Sequence, residues 1–539
     1  MTARRNLIAF SFCVIYIIYG IFVIKGQSFF ALNHRRYFTV ADDALITLRY
    51  GWNLAHGKGL VWNEGEYVEG TTSILWSVYA AGLSLALDKR FLPLGIQLSA
   101  IVFMIITALG FRCIARSYIE RSGSPTHFDI YELAAALLPL SYFPFVYWSI
   151  KGMETSLQGA LTAAALCIFF TNRTRPSLPG STLLGLAYLT RPDTIIPSAM
   201  ILLFRGIARI RKEHGVTDTL KEALPLIGIF SAAMIFRYFY YGSLVPNTYI
   251  LKVSGLSLIE RITLNGIGYI TPLLKISWPV LALLMISILL RPTVEKSILA
   301  AMIASMLVYT VCVGGDAFPY WRFLAVYMPY AFLGVLIDIP KVVQLVQGIL
   351  KNRFIKSITT TLLTTIPIIL LFIISRPDPY NRYLITFRYP QDDDMANINT
   401  SLYLSDVLKP TASVGVFYAG AIPFYTGLNA VDFLGKSDPY IASLPPDISG
   451  TFAWGGLTSA PGHNKYDLKY SILEKHPTYI AGLMWGKQDI TQEGLTHYVR
   501  IPVDFFTWSD DRQSVLLLKD SNDVEWDEVS HWSIKHLKQ

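Results

Sequence analysis

Two adjacent aspartates, Asp42 and Asp43, follow the first hydrophobic segment of a chain that is otherwise rich in apolar residues. Acidic side chains beside a bilayer are costly unless they face water or a partner, so such residues are functional candidates. A carboxylate at a membrane face can act as a general base that takes a proton from a hydroxyl group. The structural alternative is that one aspartate caps the helix predicted to begin at Ala44. The two roles are compatible, because one residue can cap while its neighbour acts.

The composition is that of a protein with many membrane spans. Of 539 residues, 53% are hydrophobic and 16% are charged, and the mean hydropathy is +0.41. Ordinary soluble domains carry about 25% charged residues. The net charge of +8 does not indicate a nucleic-acid partner, since the basic residues cluster at the ends of apolar runs and form no patch laced with aromatic residues.

The four cysteines carry no recognisable pairing pattern. Cys13, Cys113, Cys167 and Cys312 lie in or at the edge of apolar runs, and none has CxxC spacing. The sequence therefore predicts neither a disulfide framework nor a zinc site. No metal ligands and no cofactor are predicted, and a divalent cation stays an option.

The first apolar run, at residues 7–24, follows Arg4 and Arg5. It is longer than the apolar region of a signal peptide and precedes no small-residue cleavage site, which predicts a retained first span with a cytoplasmic N-terminus. A crossing needs about 20 residues. Further apolar runs lie at residues 74–87, 93–112, 131–149, 155–170, 178–190, 194–205, 222–240, 276–290, 297–313, 323–339 and 357–375.

The basic residues indicate which runs cross. If residues 74–87 crossed, the cluster around Arg112 and Arg121 would lie outside and Lys151 inside. Placing residues 74–87 as a helix on the outer surface keeps the basic clusters in the cytoplasm and leaves about eleven spans, of which two are candidates for half-helices. The segments then predicted to lie outside are residues 25–92, Lys151 to Thr155, Arg191 to Asp193, Tyr240 to Asn265, Gly314 to Arg322 and everything after residue 375.

Two domains are predicted: a membrane domain at residues 1–375, with residues 25–92 as its outer loop, and a soluble domain at residues 376–539. The fold class is a polytopic α-helical membrane protein with a C-terminal soluble α/β domain. Predicted elements of the soluble domain are strands at Val414 to Tyr418, Asn429 to Phe433, Tyr479 to Ala481 and Ser514 to Leu518, and a short helix at Ala419 to Tyr425.

The outer loop contains a predicted amphipathic helix at the membrane surface. Leu45, Leu48, Trp52 and Ala55 recur there at helical spacing. The following Gly57-Lys58-Gly59 step lacks the GxxxxGK(S/T) spacing of a phosphate-binding loop, so nucleotide binding there is rejected.

The same loop carries a family resemblance. The run from Asp42-Asp43 through Leu60-Val61-Trp62-Asn63 to Val68-Glu69-Gly70-Thr71-Thr72 resembles the N-terminal signature of AftB-like bacterial arabinofuranosyltransferases, which belong to the GT-C class of polyprenyl-phosphate-sugar-dependent glycosyltransferases. Counterparts of further family motifs follow in order along nearly the whole chain. They are Gly152-Met153-Glu154-Thr155, Arg191-Pro192-Asp193, Tyr241 to Thr248 with Pro246-Asn247-Thr248, Gly314-Gly315-Asp316 with Arg322-Phe323-Leu324, Asp432 to Asp438, and Pro461 to Lys465. Two departures stand out: Lys436 replaces an apolar residue of the family pattern, and Asn464 replaces a Glu.

The resemblance implies a GT-C-like fold and an enzyme at the outer face of a bacterial plasma membrane. Its partners would be a polyprenyl-phosphate donor of a sugar such as arabinofuranose, a glycan, lipid-linked or protein acceptor, and the lipid bilayer. Such a transfer needs a base for the acceptor hydroxyl and cations for the leaving phosphate.

Asp42 and Asp43 are the base candidates, and Asp42 is slightly favoured because Asp43 could cap the following helix. Arg191, Lys252 and Arg322 are the candidates for the phosphate, although interfacial basic residues also extend to lipid headgroups without a catalytic role. Further substrate-site candidates are Asp316, Glu154, Asn247 and His463. Position at predicted helix starts favours a supporting or capping role for Glu154 and Asp193, and a histidine in a glycine-rich loop is more often a surface residue.

Two other classes of function stay open. A transporter or flippase for a lipid-linked sugar would need many spans and polar groups at the bilayer midplane, usually with repeat symmetry. Here the halves show no two-fold similarity, and the acids gather outside the predicted spans. A non-enzymatic sensor or envelope assembly protein would not require the aspartate pair, so only a transferase is expected to lose turnover when an aspartate is replaced.

Overall fold

The computed structural model describes residues 2–121, 128–173, 175–211, 215–374, 392–449, 460–483, 490, 495–507 and 513–536. The predicted domain boundary at residues 375/376 lies outside the described residues, and its position stays a prediction.

Helices dominate the chain up to residue 374. They are α1 (Thr2–Gly26), α2 (Asp42–Ala55), α3 (Ile74–Ser84), α4 (Leu92–Arg121), α5 (Phe128–Ser141), α6 (Phe143–Ile150), α7 (Thr155–Thr171), α8 (Leu178–Thr190), α9 (Ile195–Ile210), α10 (Val216–Tyr241), α11 (Asn247–Val253), α12 (Leu258–Glu260), α13 (Ile267–Leu290), α14 (Val294–Cys312), α15 (Met328–Leu336), α16 (Ile339–Ile349) and α17 (Arg353–Ile374). A 3-10 turn (Pro192–Thr194) precedes α9, and a π-helical turn (Arg261–Gly266) joins α12 to α13. A short antiparallel hairpin, β1 (Ser28–Phe30) with β2 (Arg36–Phe38), follows α1 and was not predicted.

The helical part is that of a multi-pass membrane protein, as predicted. Among the described residues, six helical stretches are long and apolar enough to cross a bilayer: α4, α10, α12 with α13, α14, α15 with α16, and α17. The pair α5 and α6 is a seventh candidate, bent by 55° before Pro144, whose missing amide hydrogen does not allow an unbroken helix. Shorter apolar helices include Ser11–Gly26 of α1, α3 and α7. The count of eleven spans stays a prediction.

The predicted surface helix is present as α2, and several of its apolar residues are buried by other parts of the protein. Leu45 and Leu48 are buried with Trp76 of α3 and with Trp148, whereas Ile46 and Tyr50 belong to the core of the C-terminal domain. The helix begins at Asp42 instead of Ala44, and Ala41 occupies its N-cap position. The predicted capping of α2 by an aspartate is therefore wrong.

A disulfide joins Cys113 of α4 to Cys167 of α7, which corrects the prediction of no disulfide. The two residues are 54 positions apart. Their pairing follows from the packing of α4 against α7, which brings the Cα atoms to 5.8 Å, within the usual range for a disulfide. Spacing alone carries no signal for such a contact.

The C-terminal part contains a five-stranded sheet in the order β4, β3, β5, β7, β6. The strands are β3 (Ser413–Val416), β4 (Asn429–Asp432), β5 (Tyr479–Ile480), β6 (Tyr498–Pro502) and β7 (Ser514–Leu518), and the helices are α18 (Asp392–Val407), α19 (Ala421–Thr426), α20 (Pro439–Ser443) and α21 (Trp526–His536). The pairs β3/β4 and β3/β5 are parallel, and β5/β7 and β6/β7 are antiparallel. The predicted α/β character and the four predicted strands are confirmed, whereas β6 was missed.

Two side chains of α2 hold α19 in place. Both carboxylate oxygens of Asp42 accept hydrogen bonds from amides at the start of α19, those of Gly420 (2.9 Å) and Ala421 (2.8 Å). Arg49, two turns further along the same face of α2, donates to the carbonyl oxygens of Pro423 and Leu428. An acidic group therefore contacts the amide end of α19, and a basic group contacts its carbonyl end. Both contacts are favourable, because the helix dipole is positive at the amide end and negative at the carbonyl end.

The outer loop adds a second contact with the domain. Trp62 Nε1 donates to the carbonyl oxygen of Ala419 (3.1 Å), and the Asn63 amide exchanges two hydrogen bonds with the backbone of Ala430 on the edge strand β4. A buried ion pair between Lys151 and Asp394 of α18 (2.9 Å) gives a third contact. The motif Leu60-Val61-Trp62-Asn63 is thus a docking motif for the C-terminal domain.

We expect Arg49→Met to lower the melting temperature of the protein in nanodiscs, with a stability loss of about 3 kcal/mol, because several buried carbonyl groups would lose their donor. Arg49 is 4% exposed and also donates to the Trp62 carbonyl oxygen (2.6 Å) and to Asn63 (3.0 Å). Lys469→Met, at an exposed lysine of the C-terminal domain, is the matched control. Equal melting temperatures for the Arg49 and Lys469 variants would contradict the docking role of Arg49.

Candidate active site

A cavity of about 340 Å³ lies between the helical part and the C-terminal domain. One side is charged, and the other side is apolar, with Ile195, Phe230, Met234, Leu244 and Val245. Seven predicted site residues line it: Asp43, Glu154, Arg191, Lys252, Asp316, Arg322 and His463. The other two predicted residues, Asp42 and Asn247, contact the C-terminal domain instead.

Five charged side chains of alternating sign form a continuous row, which we call the charge chain: Lys436, Asp43, Arg322, Asp316 and Lys252. Asp43 Oδ1 pairs with Lys436 Nζ, and Asp43 Oδ2 accepts from Arg322 Nη1 at 2.8 Å. Arg322 also donates through Nε and Nη2 to Asp316, at 2.9 and 3.3 Å. Lys252 Nζ contacts Asp316 Oδ1 at 3.0 Å. The cations of the site are therefore already occupied by carboxylates.

The two neighbouring aspartates have different environments. Adjacent residues of a helix point about 100° apart, so Asp43 reaches the cavity while Asp42 reaches α19. Burial raises the pKa of Asp42 to about 6, against the opposing effect of the Ala421 amide. Burial would also raise the pKa of Asp43, but the charges of Lys436 and Arg322 outweigh it and hold that pKa well below its ordinary value. The reason for favouring Asp42 as the base, that Asp43 would cap α2, does not hold.

Arg191 belongs to a separate ion cluster. Its guanidinium donates one hydrogen bond to Glu154 Oε1 (2.6 Å) and forms a bidentate contact with the Asp193 carboxylate (3.1 and 3.1 Å). All three side chains are buried. Because two carboxylates share one guanidinium, Arg191 has little charge to offer an incoming phosphate. Glu154 and Asp193 both bind Arg191, and the supporting role predicted for them stays a prediction.

The backbone around Lys436 is held by the helical part. Asn247 Nδ2 donates to the carbonyl oxygens of Gly435 (2.9 Å) and Lys436 (3.1 Å). Gly70 lies so close that an added Cβ would be 2.3 Å from Ser437 Oγ and 3.0 Å from the Lys436 carbonyl oxygen. Asn247 therefore acts as a positioning residue for Lys436.

The loop that carries Asp316 and Arg322 is conformationally strained. Tyr320 (φ 62°) and Trp321 (φ 44°) both adopt the left-handed region, which costs a non-glycine residue about 1–2 kcal/mol. The Trp321 indole donates to the carbonyl oxygen of Tyr269 (2.8 Å), which holds the loop in this form. The strain directly precedes Arg322, as is common at functional sites.

His463 lines the cavity and packs edge-on against Phe318, with ring centroids 5.4 Å apart. Its side chain is partly buried at this position. Burial, followed by the charge of Lys436, lowers the pKa of His463 to about 3, so the ring is neutral at physiological pH.

Sequence reasoning missed two cations of the cavity, Lys436 and Arg237. Lys436 departs from the family pattern, in which this position is apolar. That departure is the sequence signal that points to its place in the cavity. Arg237 lies within the apolar α10 and pairs with buried Glu69 at 2.9 Å. Among the described residues, no group of three His, Cys, Asp or Glu side chains is arranged to hold a metal ion.

Comparison with known proteins identifies relatives of part of the chain. Residues 386–526 match a family described as a domain of unknown function, DUF8728. The chain is 27% identical over 235 residues to the terminal beta-(1->2)-arabinofuranosyltransferase of Corynebacterium glutamicum, covering 40% of this chain and 33% of that protein. The protein of that name from Mycobacterium tuberculosis is 31% identical over 229 residues, with coverages of 40% and 35%. The chain thus spans about a third of the length of these curated relatives, and the predicted resemblance is confirmed at this level.

The fold is shared with a solved structure, that of the archaeal oligosaccharyltransferase AglB from Archaeoglobus fulgidus in complex with an inhibitory peptide and a dolichol-phosphate. The TM-score is 0.50 at 10% identity, over 95% of this chain and 74% of that chain. ArnT from Cupriavidus metallidurans, bound to undecaprenyl phosphate, has a TM-score of 0.45 at 11% identity, over 79% and 85% of the two chains. The match to AglB confirms the predicted GT-C-like fold.

We expect His463→Gln to flatten the fall in melting temperature on acidification from pH 7 to about pH 5. The pKa of His463 is about 3 in the folded protein and 6.5 as its ordinary value. A lowered folded-state pKa means that the stability from the neutral ring is present above pH 6.5 and is lost as the pH falls towards 3.

Asp42→Asn is the control of opposite sign. The folded-state pKa of Asp42 is raised from 3.8 to about 6, so its contribution is present below pH 3.8 and is lost as the pH rises through about 6. Replacement of the Asp42 carboxylate should therefore steepen the fall in melting temperature on acidification. If the melting temperature fell equally with pH for the wild-type protein and the His463 variant, burial of a neutral imidazole would be contradicted.

Proposed function

We propose that this protein is a membrane glycosyltransferase that moves a pentofuranose, most closely arabinofuranose, from a polyprenyl-phosphate donor to a glycan or protein acceptor. The observation that carries the proposal is one cavity with two kinds of lining, a charged side that includes Asp43, Arg322 and Lys252, and an apolar side formed by α9, α10 and the loop after it. A sugar phosphate suits the first side and a lipid chain suits the second.

The apolar side offers a lateral path for a lipid. Leu244 and Val245 line the cavity, and they are 53% and 40% exposed. Apolar side chains exposed at the surface of a membrane protein face lipid at little cost. A polyprenyl chain can then stay in the bilayer while its phosphate reaches the charge chain.

The sugar is proposed from the two curated relatives, both named terminal beta-(1->2)-arabinofuranosyltransferases, which align with two-fifths of this chain. The outer face of the plasma membrane is proposed from the distribution of Lys and Arg, which places the charged loops opposite the cytoplasm. A glycan or protein acceptor follows from the need for a hydroxyl nucleophile near the cavity.

In the proposed reaction, the acceptor hydroxyl oxygen attacks the anomeric carbon and the bond from that carbon to the phosphate oxygen breaks. The leaving phosphate takes the electron pair, and Asp43 takes the hydroxyl proton as general base. Arg322 and Lys252 stabilise the phosphate charge. Asp42 keeps the C-terminal domain in place through α19, so we assign it a positioning role.

We expect the purified protein in nanodiscs to transfer arabinofuranose from a polyprenyl-phosphate donor without ATP or a nucleotide sugar. Mass spectrometry of the product identifies both the sugar and the acceptor. A protein that used a nucleotide sugar and ignored the lipid donor would overturn the proposal. Movement of the lipid donor across proteoliposomes without a new glycosidic bond would favour the transporter class.

We expect Asp43→Asn to lower turnover by at least about a hundredfold, since loss of a general base typically costs that much. Asp42→Asn should lose less than about tenfold, because it removes part of a helix cap worth about 1 kcal/mol. Melting temperatures measured on the same samples separate catalytic loss from unfolding. Near-wild-type turnover of the Asp43 variant would exclude Asp43 as the base. The remaining candidates for the base would then be Glu154, Asp316 and His463.

A further inference from the structure

The ends of the charge chain are held less firmly than its centre. Arg322, in the middle, makes three hydrogen bonds to two carboxylates, at 2.8, 2.9 and 3.3 Å. In the part of the chain that the structure describes, each terminal lysine has one carboxylate partner, Asp43 for Lys436 and Asp316 for Lys252. A lysine ammonium is a point charge on a flexible stem, whereas a guanidinium is bound in a fixed geometry. An anion that enters the cavity is therefore expected to recruit the lysines first.

The two carboxylates respond differently when their lysine leaves. Asp316 keeps two contacts from Arg322 and a hydrogen bond from the amide of Ala317 (3.0 Å). Asp43 keeps the 2.8 Å hydrogen bond from Arg322 Nη1 and its neighbour His463, whose ring is neutral. Withdrawal of a cation from a carboxylate increases its affinity for a proton. The departure of Lys436 therefore affects Asp43 much more than the departure of Lys252 affects Asp316.

We propose that Lys436 is a positioning residue that pairs with Asp43 before the donor binds and turns its ammonium group to the donor phosphate when the donor binds. The inference rests on the proposed function. Lys436 Nζ–H groups change their acceptor from the carboxylate of Asp43 to a phosphate oxygen, and no covalent bond changes in this step. Once the Lys436 ion pair is lost, the carboxylate, still paired with Arg322 and beside His463, is the stronger base, so proton acceptance by Asp43 is coupled to the presence of donor.

The geometry limits this change to one side chain. The Lys436 carbonyl oxygen is held by Asn247, and the adjacent Gly435 carbonyl oxygen is held by the same amide group. The Lys436 ammonium lies 5.9 Å from the centre of the Phe318 ring, beside the cavity, and the side chain is 11% exposed. The ammonium can thus turn from Asp43 to a phosphate without displacement of its loop.

A double-mutant cycle on binding tests the proposal without requiring catalysis. The probe is undecaprenyl monophosphate, and its dissociation constant is measured for the wild-type protein, Asp43→Asn, Lys436→Met and the double variant in nanodiscs. We expect Asp43→Asn to tighten binding about tenfold when Lys436 is present, because the lysine is released for the phosphate. In the Lys436→Met background the same substitution should tighten binding by less than about threefold.

Comparison of the two backgrounds distinguishes release of Lys436 from loss of charge repulsion between Asp43 and the phosphate. Loss of the Asp43 charge alone would tighten binding equally in both backgrounds. Equal tightening, or none, would overturn the proposal. Lys436→Arg should restore most of the affinity that Lys436→Met loses, and Lys469→Met, at an exposed lysine of the same domain, should leave all constants unchanged. If Lys436→Met does not fold, Lys436→Gln takes its place in the cycle.

Turnover of the wild-type protein distinguishes the two proposals. Sugar transfer with an additive binding cycle would refute the role of Lys436 and leave the proposed function intact. A coupled binding cycle without transfer from any polyprenyl-phosphate sugar would refute the proposed function, and with it the coupling of donor binding to catalysis.

Discussion

The site depends on the docking of the C-terminal domain onto α2. Asp42 and Arg49 lie on one face of this helix and hold α19 at its amide end and its carbonyl end. Because that face of α2 contacts α19, the side chain of Asp43, which points about 100° away from that of Asp42, faces the cavity. The same docking brings Lys436 and His463 into the cavity lining. The cavity is therefore a product of both parts of the chain, and neither part contains the complete charge chain.

Close approach of backbones makes this docking precise. At Gly420, an added Cβ would lie 2.0 Å from the carbonyl oxygen of Asp42, a distance that no side chain tolerates. At Gly70, it would lie 2.3 Å from Ser437 Oγ. The glycines are placed where α2 and the outer loop meet the domain, which explains why the motif Val68-Glu69-Gly70-Thr71-Thr72 has a glycine at position 70.

Charge compensation is the second constraint. The cavity contains several buried cations, and an isolated buried charge costs several kcal/mol. Each of them is paired: Arg191 with Glu154 and Asp193, Arg237 with Glu69, Lys252 and Arg322 with Asp316, and Lys436 with Asp43. These pairs offset the cost of burying the cations, and they mean that an anion binds by exchange of partners rather than by occupying free cations.

The sequence by itself determined the membrane class, the apolar helices, the α/β character of the C-terminal domain and most of the ionisable side chains that line the cavity, because these depend on local composition, periodicity and ordered motifs. Tertiary structure decided the rest. The Cys113–Cys167 disulfide, the burial of α2 and the pairing of Lys436 with Asp43 join residues that are distant in the sequence, and no local pattern encodes them. The different roles of Asp42 and Asp43 are the clearest case. Their side chains are identical and adjacent, so only the direction of each from the helix, and the element it meets there, distinguishes a residue that holds a domain from one that faces the cavity.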